Sequence, residues 1–186
     1  MKIKTRDMCL CAMFAALTAV GAFLKIPVPV CPFTLQTLFT TMAGLLLGSK
    51  RGAFSILIYI IIGLIGVPVF TQGGGFGYIM VPTFGYIIGF CVGAFLTGFI
   101  TERIKKLTFL KLFGACLAGL AVIYLLGMSY YYVLSNYISG GTPISMLNLF
   151  YYCFLLVIPG DILLCAIAAL LGKRLLPIIN RNSYDN

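Results

Sequence analysis

The chain has 186 residues, of which 61% are hydrophobic and 9% are charged, and its mean hydropathy is +1.09. Soluble domains are about 45–50% apolar and about 25% charged, so this composition excludes a soluble enzyme, a disordered chain and a secreted disulfide scaffold. The formal net charge of +9 comes from 13 Lys and Arg against 4 Asp and Glu. Because the basic residues lie between apolar runs, the charge indicates membrane topology rather than nucleic-acid binding.

Six apolar runs are predicted to form membrane-spanning helices. In chain order they cover residues 8–24, 34–49, 53–68, 78–101, 112–134 and 147–172. The second and third runs are short for a hydrocarbon core of about 30 Å. We expect these two helices to tilt, to thin the bilayer or to be shielded by their neighbours. The prediction is a single all-α transmembrane domain over residues 1–186.

The basic residues predict the orientation of these helices. With the N-terminus in the cytoplasm, every Lys and Arg except Lys25 falls on the cytoplasmic side, as the positive-inside rule requires. The fold is therefore predicted to have six helices, both termini in the cytoplasm, in a multi-pass protein of the plasma membrane. The alternative is that the first run is a cleaved signal peptide. Cleavage would leave five helices and disturb this distribution.

The three predicted outer connections are rich in Pro and Gly and almost uncharged: Lys25–Phe33, Val67–Gly77 and Ser135–Pro143. Prolines at positions 27, 29 and 32 favour a stiff extended chain in the first of them. Two interpretations stay equally open. The connections are either simple turns or the cover of a pocket that faces outward.

Small residues recur at every fourth position in several predicted helices, a spacing that lets two helices approach closely. Two alanine pairs of this kind occur in the first helix, and two glycine rows occur in the second to fourth helices. They are Ala12 with Ala16, Ala15 with Ala19, Gly44 with Gly48 and Gly52, and Gly85 with Gly89, Gly93 and Thr97. The spacing favours packing within the chain. The pairs on the first helix also suit the docking of another membrane subunit.

Asp161 is the most informative residue of the sequence. It lies about twelve residues into the sixth predicted helix, which is roughly 18 Å at 1.5 Å per residue and so near the middle of the bilayer. A carboxylate at that depth costs about 2.5–3.5 kcal/mol, and Pro159 just before it predicts a bend. No cation in the membrane is placed to pair with it. The carboxyl group therefore needs neutral donors, a bound ligand with N–H groups, or a proton, and we favour a functional role over a purely structural one.

Polar side chains at the outer ends of the helices are the candidate partners of Asp161. Two sets begin the second and fourth helices, and a third consists of tyrosines near the outer ends of the last two. They are Thr34, Gln36 and Thr37; Tyr78, Thr83 and Tyr86; and Tyr130, Tyr131, Tyr132, Tyr137, Tyr151 and Tyr152. Most of these tyrosines are expected to form an interfacial belt. The remainder would line an apolar pocket for a small, largely uncharged organic molecule.

Catalytic and metal-binding patterns are not found in the sequence. It has seven Cys, no His and no C-x-x-C pair, so the cysteines are interpreted as apolar packing residues. It has no metalloprotease or hydrolase motif and no ATP-binding loop. We therefore expect no enzymatic activity, no metal and no cofactor bound by this chain.

Several segments, taken in order, resemble the BioY family. They are Pro29–Leu38 (PVCPFTLQTL), Ala43–Gly52 (AGLLLGSKRG), Gly63–Phe70 (GLIGVPVF), Pro82–Tyr86 (PTFGY) and Pro159–Asp161 (PGD). The resemblance runs in order over roughly residues 8–176, and the part up to Gly52 is the most specific. BioY proteins are the biotin-specific substrate-binding (S) components of energy-coupling factor (ECF) transporters.

The resemblance implies a six-helix protein that captures biotin from outside. It implies assembly with a transmembrane coupling subunit and two cytoplasmic ATPases, so that ATP is hydrolysed by the partners. It gives the alanines at positions 12, 15, 16 and 19 a role in docking to the coupling subunit. The implied substrate site combines residues of the three polar sets with the last helix: Asp161, Gln36, Thr34, Tyr86, Thr83, Tyr78, Leu164 and Tyr152.

Leu164 departs from the family pattern, in which a lysine often follows Pro-Gly-Asp three residues later. That lysine would lie one helical turn from Asp161 on the same face. Without it, either biotin is bound by other donors or the site prefers another vitamin with an acyl tail, such as lipoate. Outside the family, the remaining interpretations are a stand-alone small transporter or channel, a membrane scaffold and, least favoured, an intramembrane enzyme.

Overall fold

The structure is a computed structural model that describes residues 5–26, 32–138 and 144–184, with the side chains as far as residue 179. Several features of the sequence lie outside these ranges. They are Lys2, Lys4, Pro27, Pro29, Cys31, the end of the third outer connection (139–143), Asp185 and the side chain of Arg181.

The described residues form seven α-helices, a short hairpin and a 3-10 turn. In chain order these are α1 (Thr5–Phe23), β1 (Lys25–Ile26), β2 (Phe33–Thr34), α2 (Gln36–Leu47), α3 (Ser49–Ile65), a 3-10 helix (Phe76–Met80), α4 (Phe84–Glu102), α5 (Phe109–Val133), α6 (Met146–Phe150) and α7 (Ile158–Tyr184). A π-helical turn, Leu134–Ile138, continues α5, and another, Tyr151–Leu155, follows α6. The all-helical class is confirmed, while the two-residue strands were not predicted.

Four stretches of the described chain are long and apolar enough to cross a membrane: Thr5–Phe23, Phe84–Glu102, Phe109–Ile138 and Met146–Ile179. The other two predicted spans correspond to α2 and α3, which have 12 and 17 residues. Both pack against α4 and against each other. Neighbouring helices therefore shield α2, in which no residue is exposed, whereas α3 keeps an exposed apolar face that includes Phe54, Leu57 and Ile61.

The link between α2 and α3 is a single residue, Gly48, with φ +82°. A side chain there would be strained, and its Cβ would lie 2.4 Å from Glu102 Oε1. That carboxylate accepts hydrogen bonds from the backbone N–H of Ser49 at 2.7 Å and from its hydroxyl at 3.1 Å. Glu102 therefore caps the first turn of α3, where the helix dipole favours negative charge.

The start of α1 and the second half of α7 meet at one end of the bundle, which we call the terminal end. Arg51, at the start of α3, forms a 3.0 Å ion pair with Asp7 in the first turn of α1. A cavity at this end is lined by Arg6, Lys105 and Leu176, from the two ends of the chain and the connection after α4. The opposite end holds the β1–β2 hairpin and the 3-10 helix, and we call it the hairpin end.

The glycine rows of α2 and α4 face the interior. A Cβ on Gly44 would lie 2.5 Å from the carbonyl oxygen of Ala94, and one on Gly89 would lie 3.0 Å from the backbone of Ile123. The rows therefore bring α2 against α4 and α4 against α5, as packing within the chain requires.

The two alanine pairs of α1 face different ways. Ala12 and Ala16 are exposed, whereas Ala15 is 4% exposed and Ala19 is half-buried. Only the first pair is open to a neighbouring subunit. Ala15 and Ala16 are successive residues, and successive residues on a helix point about 100° apart. The burial of Ala15 therefore does not fit the docking role predicted for it.

The position of Asp161 along its helix differs from the prediction. The last apolar run is divided: α6 and its π-helical turn come first, and α7 begins at Ile158 after a turn at residues 156–157. Pro159 therefore lies in the first turn of α7, where its missing N–H breaks no helical bond. Asp161 also lies in that first turn, rather than twelve residues into a continuous helix.

Candidate functional site

A cavity lies between the hairpin, the 3-10 helix and helices α2, α4, α5 and α7. It contains about 550 Å³ of space free of protein atoms, counting its open mouth. Its lining residues are Pro32, Thr34, Gln36, Thr37, Thr71, Tyr78, Thr83, Tyr86, Ile87, Phe90, Ile123, Tyr124, Cys153, Val157 and Asp161. This mixture of apolar walls with a few polar groups is typical of a site for a small organic ligand.

Asp161 is the only charged residue among these lining residues. It is 5% exposed, and its Oδ2 accepts a 2.5 Å hydrogen bond from the hydroxyl of Tyr124 on α5. Thr37 of α2 lies beside the carboxylate, but Oδ1 is buried without a hydrogen-bond partner among the described residues. The carboxylate therefore retains acceptor capacity toward the cavity.

Two neutral features stabilise this carboxylate where the sequence offered no cation. The first is the Tyr124 hydroxyl, since a hydrogen bond to a charged acceptor is stronger than a neutral one. The second is Thr37 of α2, whose side chain lies beside the carboxylate. Leu164 lies in the next turn of α7, is 6% exposed and does not line the cavity.

A hydrogen-bond chain fixes the orientation of Gln36 at the start of α2. Its Nε2 donates to the hydroxyl of Tyr59 at 2.8 Å, and its Oε1 accepts from the hydroxyl of Thr34 at 3.3 Å. Tyr59 in turn donates to the carbonyl of Val69 at 3.2 Å. The network joins the hairpin, α2, α3 and the connection after α3, so it holds the wall of the cavity in place.

The rim of the cavity toward the hairpin end is formed by hydroxyl groups. The hydroxyl of Tyr78, on the 3-10 helix, lies 3.0 Å from the hydroxyl of Thr71 and 3.5 Å from the hydroxyl of Thr83. Lys25 donates from Nζ to the carbonyl of Thr71 at 2.7 Å. These contacts tie the hairpin, the connection after α3 and the start of α4 together at the mouth.

The structure brings six of the eight predicted substrate residues to this cavity and leaves two outside it. The six are Asp161, Gln36, Thr34, Tyr86, Thr83 and Tyr78. Leu164 and Tyr152 are not among the lining residues. The tyrosines near the outer ends of the last helices, Tyr130–Tyr132, Tyr137 and Tyr151, are likewise not among them.

Tyr124 and Thr71 line the cavity but were not singled out in the sequence. Tyr124 had a recognisable signal, because a tyrosine far from both ends of a 25-residue apolar helix lies away from the interfacial belt. Thr71 had none, since its place at the rim follows from the path of the connection after α3. Among the described residues, no group of three or more Cys, Asp or Glu side chains could hold a metal ion.

The fold and this cavity define an all-helical membrane protein with a binding site for a small molecule, bounded by one buried carboxylate. The comparisons with known proteins agree with that class. The model of the BioY family matches residues 1–181, and the chain belongs to this family.

Three proteins illustrate the similarity. "Probable biotin transporter BioY" of Lysinibacillus sphaericus is 46% identical over 92% of this chain and 87% of its own length. "Biotin transporter BioY" of Rhizobium etli is 33% identical over 94% of this chain and 95% of its own length. A crystal structure of the S-component for biotin from an ECF-type ABC transporter superposes with a TM-score of 0.79 at 27% identity, covering 91% of this chain and 90% of that one.

Proposed function

We propose that this chain captures biotin from outside the cell and serves as the S component of an ECF-type importer. The observation that carries the proposal is the buried Asp161 carboxylate, held by Tyr124 with one oxygen unsatisfied, in a cavity with mainly apolar walls. The similarity to biotin transporters supports the same conclusion. The chain is accordingly a transport protein and not an enzyme.

The chemistry of biotin matches the composition of the cavity. Its ureido ring presents two N–H donors, and a carboxylate is the strongest acceptor that a protein offers to such groups. Its fused thioether ring is apolar and suits walls formed by Ile87, Phe90 and Val157. The six predicted residues at the cavity, together with Tyr124 and Thr37, are the substrate-binding residues that we propose.

The proposed topology has six membrane spans, with α6 and α7 forming the last one together, and both termini in the cytoplasm. The distribution of charge supports it. Arg6, Arg51 and Lys105 meet at the terminal end, whereas Lys25 lies at the hairpin end. Basic residues collect on the cytoplasmic side of membrane proteins, so the cavity beneath the hairpin opens outward.

The proposed partners are a transmembrane coupling subunit and two cytoplasmic ATPases, which hydrolyse the ATP that drives transport. We propose that the whole chain, residues 1–186, is one substrate-binding domain with no cofactor of its own. The exposed pair Ala12 and Ala16 on α1 is the docking site that we propose for the coupling subunit, because small side chains let two helices approach closely in lipid.

Calorimetry on the chain purified in detergent tests the proposed ligand. We expect biotin to bind tightly and lipoate to bind at least about 100-fold more weakly. Lipoate has no N–H group that could donate a hydrogen bond to the buried carboxylate of Asp161. The heat-capacity change on biotin binding should be negative, as burial of apolar surface requires. Tight lipoate binding with no biotin signal, or no binding of either compound, would contradict the proposal.

Removing the Tyr124 hydroxyl should weaken biotin binding. In Tyr124→Phe, Oδ2 of Asp161 loses its 2.5 Å donor, so the buried carboxylate becomes more costly and less well oriented. We expect an affinity loss of about fivefold to tenfold, or about 1–1.4 kcal/mol, the usual net contribution of one hydrogen bond. Tyr137→Phe makes the same change on a side chain that is 76% exposed and should leave binding unchanged. Equal affinities of the two variants would argue against a role for Tyr124.

A further inference from the structure

Lys25 lies at the end of the fold opposite to the other basic residues that the structure describes. Among the described residues, the other Lys and Arg lie in the first turn of α1, at the start of α3, between the end of α4 and the first turn of α5, or in the second half of α7, whereas Lys25 lies in the hairpin. Lys25 lies in β1 directly opposite Thr34 of β2, and it is exposed. Thr34 lines the cavity, so the hairpin places Lys25 next to the cavity mouth.

The ammonium group of Lys25 makes a second contact with the rim of the cavity. Nζ donates to the carbonyl of Thr71 at 2.7 Å. Thr71 lines the cavity and contacts the Tyr78 hydroxyl. Lys25 is therefore flanked by two lining residues on two different segments. An ammonium group has three N–H donors, so the bond to Thr71 leaves two available for a ligand.

The cavity has one carboxylate in its lining and one ammonium group beside its rim. Its lining contains Asp161 and no Lys or Arg, and Lys25 is at the mouth. Consider a ligand that carries N–H donors at one end and a carboxylate at the other. Asp161 favours the N–H end, and Lys25 favours the carboxylate end. The carboxylate of the ligand is repelled by Asp161 and attracted by Lys25, while its N–H groups are attracted by Asp161.

We propose that Lys25 is the recognition residue for the carboxylate of the ligand, and that it makes the site selective for acids over their neutral amides. This inference rests on the proposed function, since biotin has its carboxylate at the end of the tail remote from the ureido ring. Lys25 binds the tail at the mouth, and the ureido ring enters first and reaches Asp161. The two charges therefore determine the direction in which the ligand enters.

A comparison of biotin with biotinamide tests the proposal, because the two compounds differ in the charge of the tail and share the ring system. We expect the wild-type chain to bind biotin about tenfold more tightly, which corresponds to about 1.4 kcal/mol. In Lys25→Gln, biotin affinity should fall to that of biotinamide, while biotinamide affinity stays unchanged. The wild-type preference should also shrink as salt increases, since the ammonium group is exposed.

Lys105→Gln is the matched control, because it removes one positive charge at the terminal end. It should keep the full preference for biotin. Equal affinities of the two compounds for the wild-type chain, or an equal loss of both in Lys25→Gln, would overturn the role of Lys25 alone. If the wild-type chain bound neither compound, the proposed function would fail together with this inference. Melting temperatures of the three proteins should agree, because Lys25 is exposed.

Discussion

Replacing Asp161 by Asn should weaken biotin binding by about 100-fold, which corresponds to about 2.7 kcal/mol. The carboxylate offers two acceptor oxygens, one of them unsatisfied in the cavity. The amide offers one acceptor and places an NH2 group against the ureido N–H donors or against the Tyr124 hydroxyl. One donor is then left buried without an acceptor. Calorimetry with biotin measures this loss directly.

Asp185→Asn provides the matched control, because it makes the same chemical change in the C-terminal segment. We expect its biotin affinity to equal that of the wild-type chain. Asp161→Asn should remain folded, and its melting temperature should not fall, because a neutral amide costs less than a carboxylate within the membrane. Unchanged biotin affinity in a folded Asp161→Asn protein would refute the proposed role of the carboxylate.

Gly44→Ala is expected to have a large effect on stability. The added Cβ would lie 2.5 Å from the carbonyl oxygen of Ala94 and 3.1 Å from the side chain of Thr97. The first of these is a backbone atom, so α2 and α4 must move apart. Overpacking of this kind costs about 1–3 kcal/mol, or about 2–4 °C in melting temperature for each kcal/mol. Because α2 also carries Gln36 and Thr37, biotin affinity should fall as well.

Gly114→Ala is the matched control for this substitution. Gly114 lies in α5, and a Cβ there meets no atom within 4 Å. Alanine is the better helix former by about 0.8–1.0 kcal/mol, so this variant should melt at or slightly above the wild-type temperature. Thermal unfolding in one detergent, followed for both variants, measures the difference. Equal melting temperatures would show that α2 and α4 do not pack through Gly44.

The sequence alone determined the class of protein and the main features of its site. The apolar composition requires lipid, and the all-helical class follows because backbone groups in lipid must bond within their own segment. Asp161 was recognisable because a carboxylate in an apolar run is costly wherever it lies. Gln36 and Thr34 were recognisable as polar residues beside a proline-rich connection. Each of these inferences depends on the local chain, so no knowledge of the packing was needed.

Only the tertiary structure decided which of these groups meet. Tyr124 is the hydrogen-bond partner of Asp161 because α5 and α7 place the two side chains at one depth and facing each other. The irregular turn before Ile158 puts Asp161 in a first helical turn, although the apolar run around it is continuous in the sequence. The inward direction of Gly44 and the burial of Ala15 likewise depend on how each helix is rotated about its axis. The rotation and the depth of each helix are set by contacts between distant segments. The spacing of residues along one helix specifies neither of them.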